Sequence, residues 1–429
     1  MTRIGLCAAV ALAAGILCSG AAARPQVDGP FPGSPNHPAI EYDARPVHDA
    51  VAALNARLAG GDTPLAFEGR SGFLRSVLAA LDIPNDSQVL VFSKTGVQGG
   101  RTGPSNPRAL LFNDAVVLGY IPGAPFIEIA AQDPQQGTIF YTLDQSPQAS
   151  PRFARQARCL GCHLSFNTLD VPGMLVRSQF TAADGASMRQ LGQFLVDHRT
   201  PFAQRWGGYY VTSPQPSVAH MGNAMVLDRT TPIEPSAGAT LTAPALASRV
   251  DLTTYPAASS DMVALMVFDH QMRMMNLLTR VGWETRVAAS EQRLDTAHGA
   301  ERIAIGELVD YMLFVDEAPF PRAVPRSSPF ADRFAAQGPQ DRKHRSFRDL
   351  DVQRRLLRYP CSYMIYSKAF DGLPGPAKDA VYRRLWAVLS GEEKDARYRR
   401  LTRTDRQAIV EILRDTRAGL PGYFSAAVH

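Results

Sequence analysis

Cys159-Leu160-Gly161-Cys162-His163 sets two thiols three positions apart, with a histidine directly after the second. That order is the attachment signature of a c-type haem. Each thiol can form a thioether to one vinyl group of a porphyrin, and two intervening residues let one turn of chain span both vinyls. The adjacent His163 then lies under the ring, where its imidazole can take the proximal position on iron. The expected cofactor is one covalent haem c with its iron. Cys159, Cys162 and His163 would hold it, and His163 would ligate the metal.

Two other chemistries use close cysteines. A zinc site needs about four protein ligands, usually with a second Cys/His pair at short spacing, and no such pair follows in this chain. A thioredoxin-like dithiol sits just after a buried strand and opens a helix. Here the preceding segment, Pro151 to Arg158, is polar and basic and does not read as a strand. Haem attachment is the reading that the surroundings favour.

The sixth iron ligand decides what such a centre can do. Methionine there raises the reduction potential, a second histidine lowers it, and an open position admits small molecules. His270 falls on the apolar seam of a long helical pattern, which suits a core histidine with a satisfied N–H or a distal residue above iron. His220 and Met221 follow an aromatic stretch and are flanked by Gly222-Asn223. His198, Met225 and Met274 are further candidates, and no spacing rule selects among the six. Arg155, Arg158 and Arg177 are candidates to pair with haem propionates.

The N-terminus suggests export. Met1-Thr2-Arg3 is a short basic start, Ile4 to Leu17 is almost unbroken apolar chain, and an Ala-x-Ala pattern ends at Ala23. Residues 1–23 read as a cleavable secretory signal peptide, too short for a retained membrane span. There is no twin arginine, and Cys18 lacks the small preceding residues of a lipoprotein site. Haem c is attached outside the bacterial cytoplasm, so signal and motif both point to the periplasm. Cys7 and Cys18 would leave with the signal, so Cys159, Cys162 and Cys361 remain, which is no disulfide framework. Cys361 has apolar and aromatic neighbours and reads as a buried free thiol.

Roughly 400 mature residues, with 45% hydrophobic content, can bury a large core in one to three domains. The formal charge of +5 is modest, and cations alternate with acids, as in Asp341-Arg342-Lys343-His344-Arg345. That interleaving is no nucleic-acid surface. Nothing beyond residue 30 is long and apolar enough for a membrane span.

The elements that must carry the motif fall into sections and make an α+β protein. Residues 24–42 are a Pro/Gly-rich extended lead-in. Residues 43–150 hold two helical stretches, the second over 72–81, and then short β-rich runs at 88–92, 109–112, 116–121, 126–130 and 138–143. Turn residues separate these runs, giving an antiparallel meander. Residues 151–257 hold the motif on a helical turn and two runs, 174–180 and 189–196, around the hairpin signal Ala183-Asp184-Gly185. They also hold Arg205-Trp206-Gly207-Gly208-Tyr209, whose glycines suit a strand bulge or the close approach of a flat ligand. Residues 258–429 are helical. Val263, Val267, His270, Met274, Leu277 and Val281 mark one apolar helix face, and further helices span 300–314 and 377–389. A last helix starts near Thr404 with a Thr404-x-x-Gln407 capping box.

The chain has no Gly-x-Ser-x-Gly elbow, no His-Glu-x-x-His motif, no phosphate-binding Gly-Lys loop and no second Cys-x-x-Cys-His. The last absence argues against a two-haem peroxidase. The binding motif is that of c-type cytochromes. More of the chain, roughly 88–390, resembles large exported bacterial proteins with a single haem c motif. That likeness rests on Ser105-Asn106-Pro107-Arg108-Ala109, Phe140-Tyr141-Thr142-Leu143-Asp144-Gln145, Cys159 to His163, Arg205 to Tyr209 and Arg358-Tyr359-Pro360-Cys361. The resemblance implies covalent haem and a redox role, and it names no substrate, donor or acceptor. Against small c-type cytochromes the chain departs in size and in its β-rich section, so their helical fold is not assumed.

The expected function is electron transfer in the periplasm with a redox partner protein or a small donor or acceptor. The alternative is a haem enzyme, a peroxidase or oxidase of a small donor. It would use the extra mass to build a pocket over an open iron face, with a distal acid/base such as His270.

Overall fold

The computed structural model describes residues 31–62, 64–147, 150–215, 218–227, 230 and 240–428. The expected signal segment, residues 1–23 with Cys7 and Cys18, and the first part of the lead-in, 24–30, lie outside the described residues.

The apolar runs between residues 88 and 144 fold as the expected antiparallel meander. Its strands are β1 (Val89–Val91), β2 (Arg108–Phe112), β3 (Val116–Tyr120), β4 (Phe126–Asp133) and β5 (Gly137–Asp144). Short polar turns close them. The Asn113 carboxamide oxygen accepts from the backbone N–H groups of Ala115 and Val116, and Asp133 does the same for Gln135 and Gln136 before Gly137 at φ +86°. Two later pieces extend the sheet. Ala154–Arg155 (β6) pairs with β5 at one edge, and Tyr209–Tyr210 (β9) pairs with β1 at the other, giving the order β6-β5-β4-β3-β2-β1-β9.

The hairpin expected around Asp184-Gly185 forms as β7 (Val176–Gln179) paired with β8 (Gln193–Val196). The Gly207-Gly208 pair serves close approach to protein backbone. A Cβ at Gly207 would fall 2.4 Å from the Gln179 carbonyl oxygen, and Gly208 sits at φ +87° against Ser93 and Thr181. These glycines let the chain leading into β9 pass close to Gln179 at the end of β7 and to Ser93.

The two faces of the sheet have different partners. Tyr141 points to one side and donates its hydroxyl to Asp49, the N-cap of α1 (Ala50–Gly60), at 2.7 Å; α2 (Leu74–Ala80) follows α1. On the other side Phe112 meets Phe268 of α5 (Met262–Ser290) with ring centroids 5.0 Å apart, and Gln132 donates to Thr279 of the same helix.

Helix α5 departs from the amphipathic expectation. It is buried on all sides from Met262 to Thr285, so its charged residues lie inside the protein. Such burial is tolerated only when charges are paired. Arg273 and Arg280 both reach Glu307 of α6 (Ala300–Met312), at 2.9 and 2.7 Å, and Arg280 also reaches Glu284 at 2.7 Å. Arg205 lies 3.6 Å from Asp269. The remaining helices are α4 (Ala243–Ala247), α7 (Pro329–Ala336), α8 (Lys368–Asp371), α9 (Gly375–Ser390) and α10 (Arg403–Thr416), with a short α3 described below.

The start of α10 corrects the expected cap. Thr402, in extended conformation, accepts from the Asp405 N–H at 3.1 Å, and the Asp405 carboxylate accepts from the Thr402 N–H. The reciprocal box therefore lies two residues earlier than Thr404-x-x-Gln407, with an aspartate where the pattern sought Glu or Gln.

One cluster of buried apolar side chains runs from Phe31 to Val428, so the sections share a core; a small satellite cluster contains Phe180, Met188 and Met221. Among the described residues, no helix is long and apolar enough to cross a membrane.

Candidate functional site

The motif forms one helical turn on the α5-facing side of the sheet. A 3₁₀ turn at Ala157–Cys159 runs directly into α3 (Leu160–His163), as a helical reading of the motif requires. Cys159 and Cys162, three apart on a helical turn, are surface neighbours. Both thiols are free; Cys162 is exposed and Cys159 half-buried against the core.

The approach to the motif differs from the expectation. Part of the polar segment Pro151–Arg158 is a strand after all, the two-residue edge β6. Its polarity matches an edge position, where one side of the backbone faces solvent. It docks the turn: Gln156 N donates to Phe140 O at 2.9 Å, and its side chain donates to Thr142 Oγ1 at 2.9 Å. Arg155 is held by the Tyr42 carbonyl at 2.6 Å and stacks on the Tyr42 ring, so its guanidinium is already engaged. Arg158 lies over the Phe126 ring, and Arg177 is half-buried on β7.

His163 is fixed at one nitrogen and free at the other. Its Nδ1 lies 2.9 Å from the Gly173 carbonyl oxygen, and only a protonated Nδ1 can donate there. That tautomer leaves the Nε2 lone pair free, the arrangement by which a backbone carbonyl orients a metal-binding histidine. Phe140 supports the ring from the sheet, with centroids 4.7 Å apart. Asn276 of α5 anchors the carbonyl segment: its side chain accepts from Met174 N at 3.0 Å and donates to Met174 O at 2.7 Å. Burial lowers the His163 pKa, opposed by the Gly173 hydrogen bond. Burial, and then the charge of Glu128, raise the pKa of the Cys159 thiol.

A charged pair lies beside this turn on the sheet. Register aligns Gly119, Glu128 and Thr142 across β3, β4 and β5, so Glu128 neighbours the Thr142 that holds Gln156. Glu128 Oε2 is 3.5 Å from Arg108 Nη1, and Oε1 accepts from Gln98 Nε2 at 2.9 Å.

The six sixth-ligand candidates lie elsewhere. His270 is fully buried, with Nδ1 2.8 Å from His198 Nδ1 and Nε2 2.7 Å from Ser362 Oγ. Its ring stacks on Tyr311 and Phe314. Both ring nitrogens are engaged, and His270 lies buried within α5. Six residues along α5 rotate it roughly 120° away from the Asn276 face that meets the motif segment. Buried His198 shares the same stack. His220 Nε2 is 3.1 Å from Thr240 Oγ1, and the ring packs on Trp206. Met221 is buried, its sulfur accepting from Ser178 Oγ; Met274 is fully buried, and Met225 packs half-buried against the core. Among the described residues, no hydrogen bond or ring contact joins any of the six to Cys159, Cys162 or His163. Cys361 is a fully buried free thiol, as its neighbours suggest.

The residues present fit a covalent haem on three counts. Two free thiols share one turn, an imidazole held at Nδ1 offers one unused nitrogen, and apolar surface adjoins them, with Phe166 64% exposed. Sequence reading missed Phe140, Gly173, Asn276 and Glu128 as parts of this site, because only sheet register and the α5 contact bring them to the motif. Arg108, Phe140 and Thr142 belong to the segments on which the resemblance rests, and they gather around the turn. No family model matches the chain, and no curated protein or solved structure matches it either.

Proposed function

We propose that this chain carries one haem c on Cys159, Cys162 and His163 and serves as an electron carrier in the bacterial periplasm. The observation that carries the reading is His163: Nδ1 held by Gly173 and Nε2 free, on the turn that presents both thiols. A bound haem c supplies a one-electron ferric/ferrous couple. The chain's own part is to orient the imidazole through Gly173, Phe140 and Asn276, and to anchor the ring at two sulfurs. The turn is at the surface, with Cys162 and Phe166 exposed, and a carrier needs one haem edge near a docking partner. Export rests on the N-terminal signal pattern, and the likeness to exported single-haem proteins adds to it. The enzyme reading relied on His270 as the distal acid/base, and both of that ring's nitrogens are engaged inside the core.

Absorption spectra of protein matured in a haem c-competent host test the proposal, recorded oxidised, dithionite-reduced, and reduced under carbon monoxide. A low-spin spectrum inert to carbon monoxide is expected. A high-spin ferric centre that reacts with peroxide overturns the carrier in favour of the enzyme. Protein without haem overturns both.

A further inference from the structure

The ion pair formed by Arg108 and Glu128 has no place in attachment or ligation, yet it is built with care. It lies on strands β2 and β4 and is largely buried, with side chains 16% and 23% exposed. Gly96, at φ +99°, lets the preceding loop close over the guanidinium; a Cβ there would fall 2.4 Å from Arg108 Nη1. Gln98 is 7% exposed, and its amide orientation is fixed because Nε2 donates both to Phe126 O and to Glu128 Oε1.

The pair is loose at its centre. At 3.5 Å the nitrogen and oxygen are beyond an ordinary charge-assisted hydrogen bond of about 2.7–2.9 Å. Arg108 Nε and Gln98 Oε1 are buried with no protein partner. Neither charge is fully neutralised by local bonding, and partial burial leaves less solvent to screen them. Their field reaches the motif. Glu128 is aligned in register with Thr142, whose side chain holds Gln156 beside the turn, and Phe140, on the same face of β5, packs against the His163 ring.

Resting on the haem reading, we infer that Arg108 and Glu128 are a matched pair that sets the reduction potential of the centre on Cys159, Cys162 and His163. The two charges act with opposite sign. The carboxylate favours the ferric state, which carries one more positive charge, and the guanidinium favours the ferrous state. Gln98 holds Glu128 in place, and the 3.5 Å separation lets both charges be felt at the motif.

The experiment is potentiometric titration of the matured holoprotein and three variants, followed by absorbance. Glu128→Gln raises the midpoint potential, Arg108→Gln lowers it, and the double variant returns toward wild type. Glu393→Gln, which breaks the similarly exposed pair between Arg384 of α9 and Glu393 of the segment that follows it, is the control and leaves the potential unchanged. If one single variant fails to fold, the sign of the other still decides. Shifts of the same sign in both singles, or unchanged potentials in holoprotein that retains covalent haem, overturn the inference and leave the haem reading standing. Absence of covalent haem from the wild-type chain overturns that reading itself.

Discussion

His163 and His270 carry the same side chain in two regions that treat it in opposite ways. His163 stands on a surface turn, spends Nδ1 on a backbone carbonyl and keeps Nε2 free. His270 lies in the middle of a helix buried on all sides, between Tyr311 and Phe314, and spends both nitrogens on His198 and Ser362. A ligand needs a lone pair and room beside it; a core histidine holds the fold through the bonds its nitrogens make. The contrast separates a histidine with one unused nitrogen from one whose two nitrogens are both engaged in the core.

The comparison breaks most sharply at the cysteines. Cys159→Ala with Cys162→Ala abolishes covalent haem on a denaturing gel, yet costs the apo fold only about 1 kcal/mol, because one thiol is exposed and the other half-buried. His270→Ala does the reverse. It leaves His198 and Ser362 without their partner in a dry core and destabilises by about 3 kcal/mol in denaturant titration, while the haem spectrum stays as in wild type. An altered spectrum at undiminished stability would put His270 at the iron.

Asn276→Ala sharpens the same contrast, since Asn276 stands on the core helix but serves the motif. Loss of its two bonds to Met174 costs about 1–2 kcal/mol and perturbs the axial-ligand bands without releasing haem. Unaltered bands at lowered stability would make Asn276 purely structural.

The smallest effect is in acid. Burial lowers the pKa of His270 to about 3 and of His220 to about 4, against an ordinary value near 6.5. The unfolded chain therefore binds protons that the folded one refuses, and stability falls as pH drops below about 6.5. Burial raises Asp269 to about 7, which works the other way: its contribution is full below about 4 and is lost as pH rises toward 7. His220→Gln removes about one proton from the acid slope, so it loses less stability than wild type between pH 6.5 and 4.5. Equal losses would mean that His220 charges in the folded state.

What sequence could reveal follows range of interaction. The meander was legible because β2 to β5 are local runs separated by Asn113, Gly123 and Gly137, and α5 because its apolar positions recur at helical spacing. The motif turn carries its own chemistry within five residues. The all-round burial of α5 was hidden, since Arg273 and Arg280 look like solvent-facing residues until Glu307 arrives from the next helix. Strand β6 was hidden because an edge strand of two residues has no apolar pattern to show. Glu128 reads as an ordinary polar position on a strand; only the register across β4 and β5 brings it to the motif.

Covalent attachment is the central claim, and intact-mass analysis of the chain secreted from a haem c-maturing host tests it most directly, with peptide mapping across residues 151–177. One haem is expected to stay with the denatured chain, carried on the peptide holding both Cys159 and Cys162. A chain of unmodified mass, with both thiols free to alkylate, would contradict it.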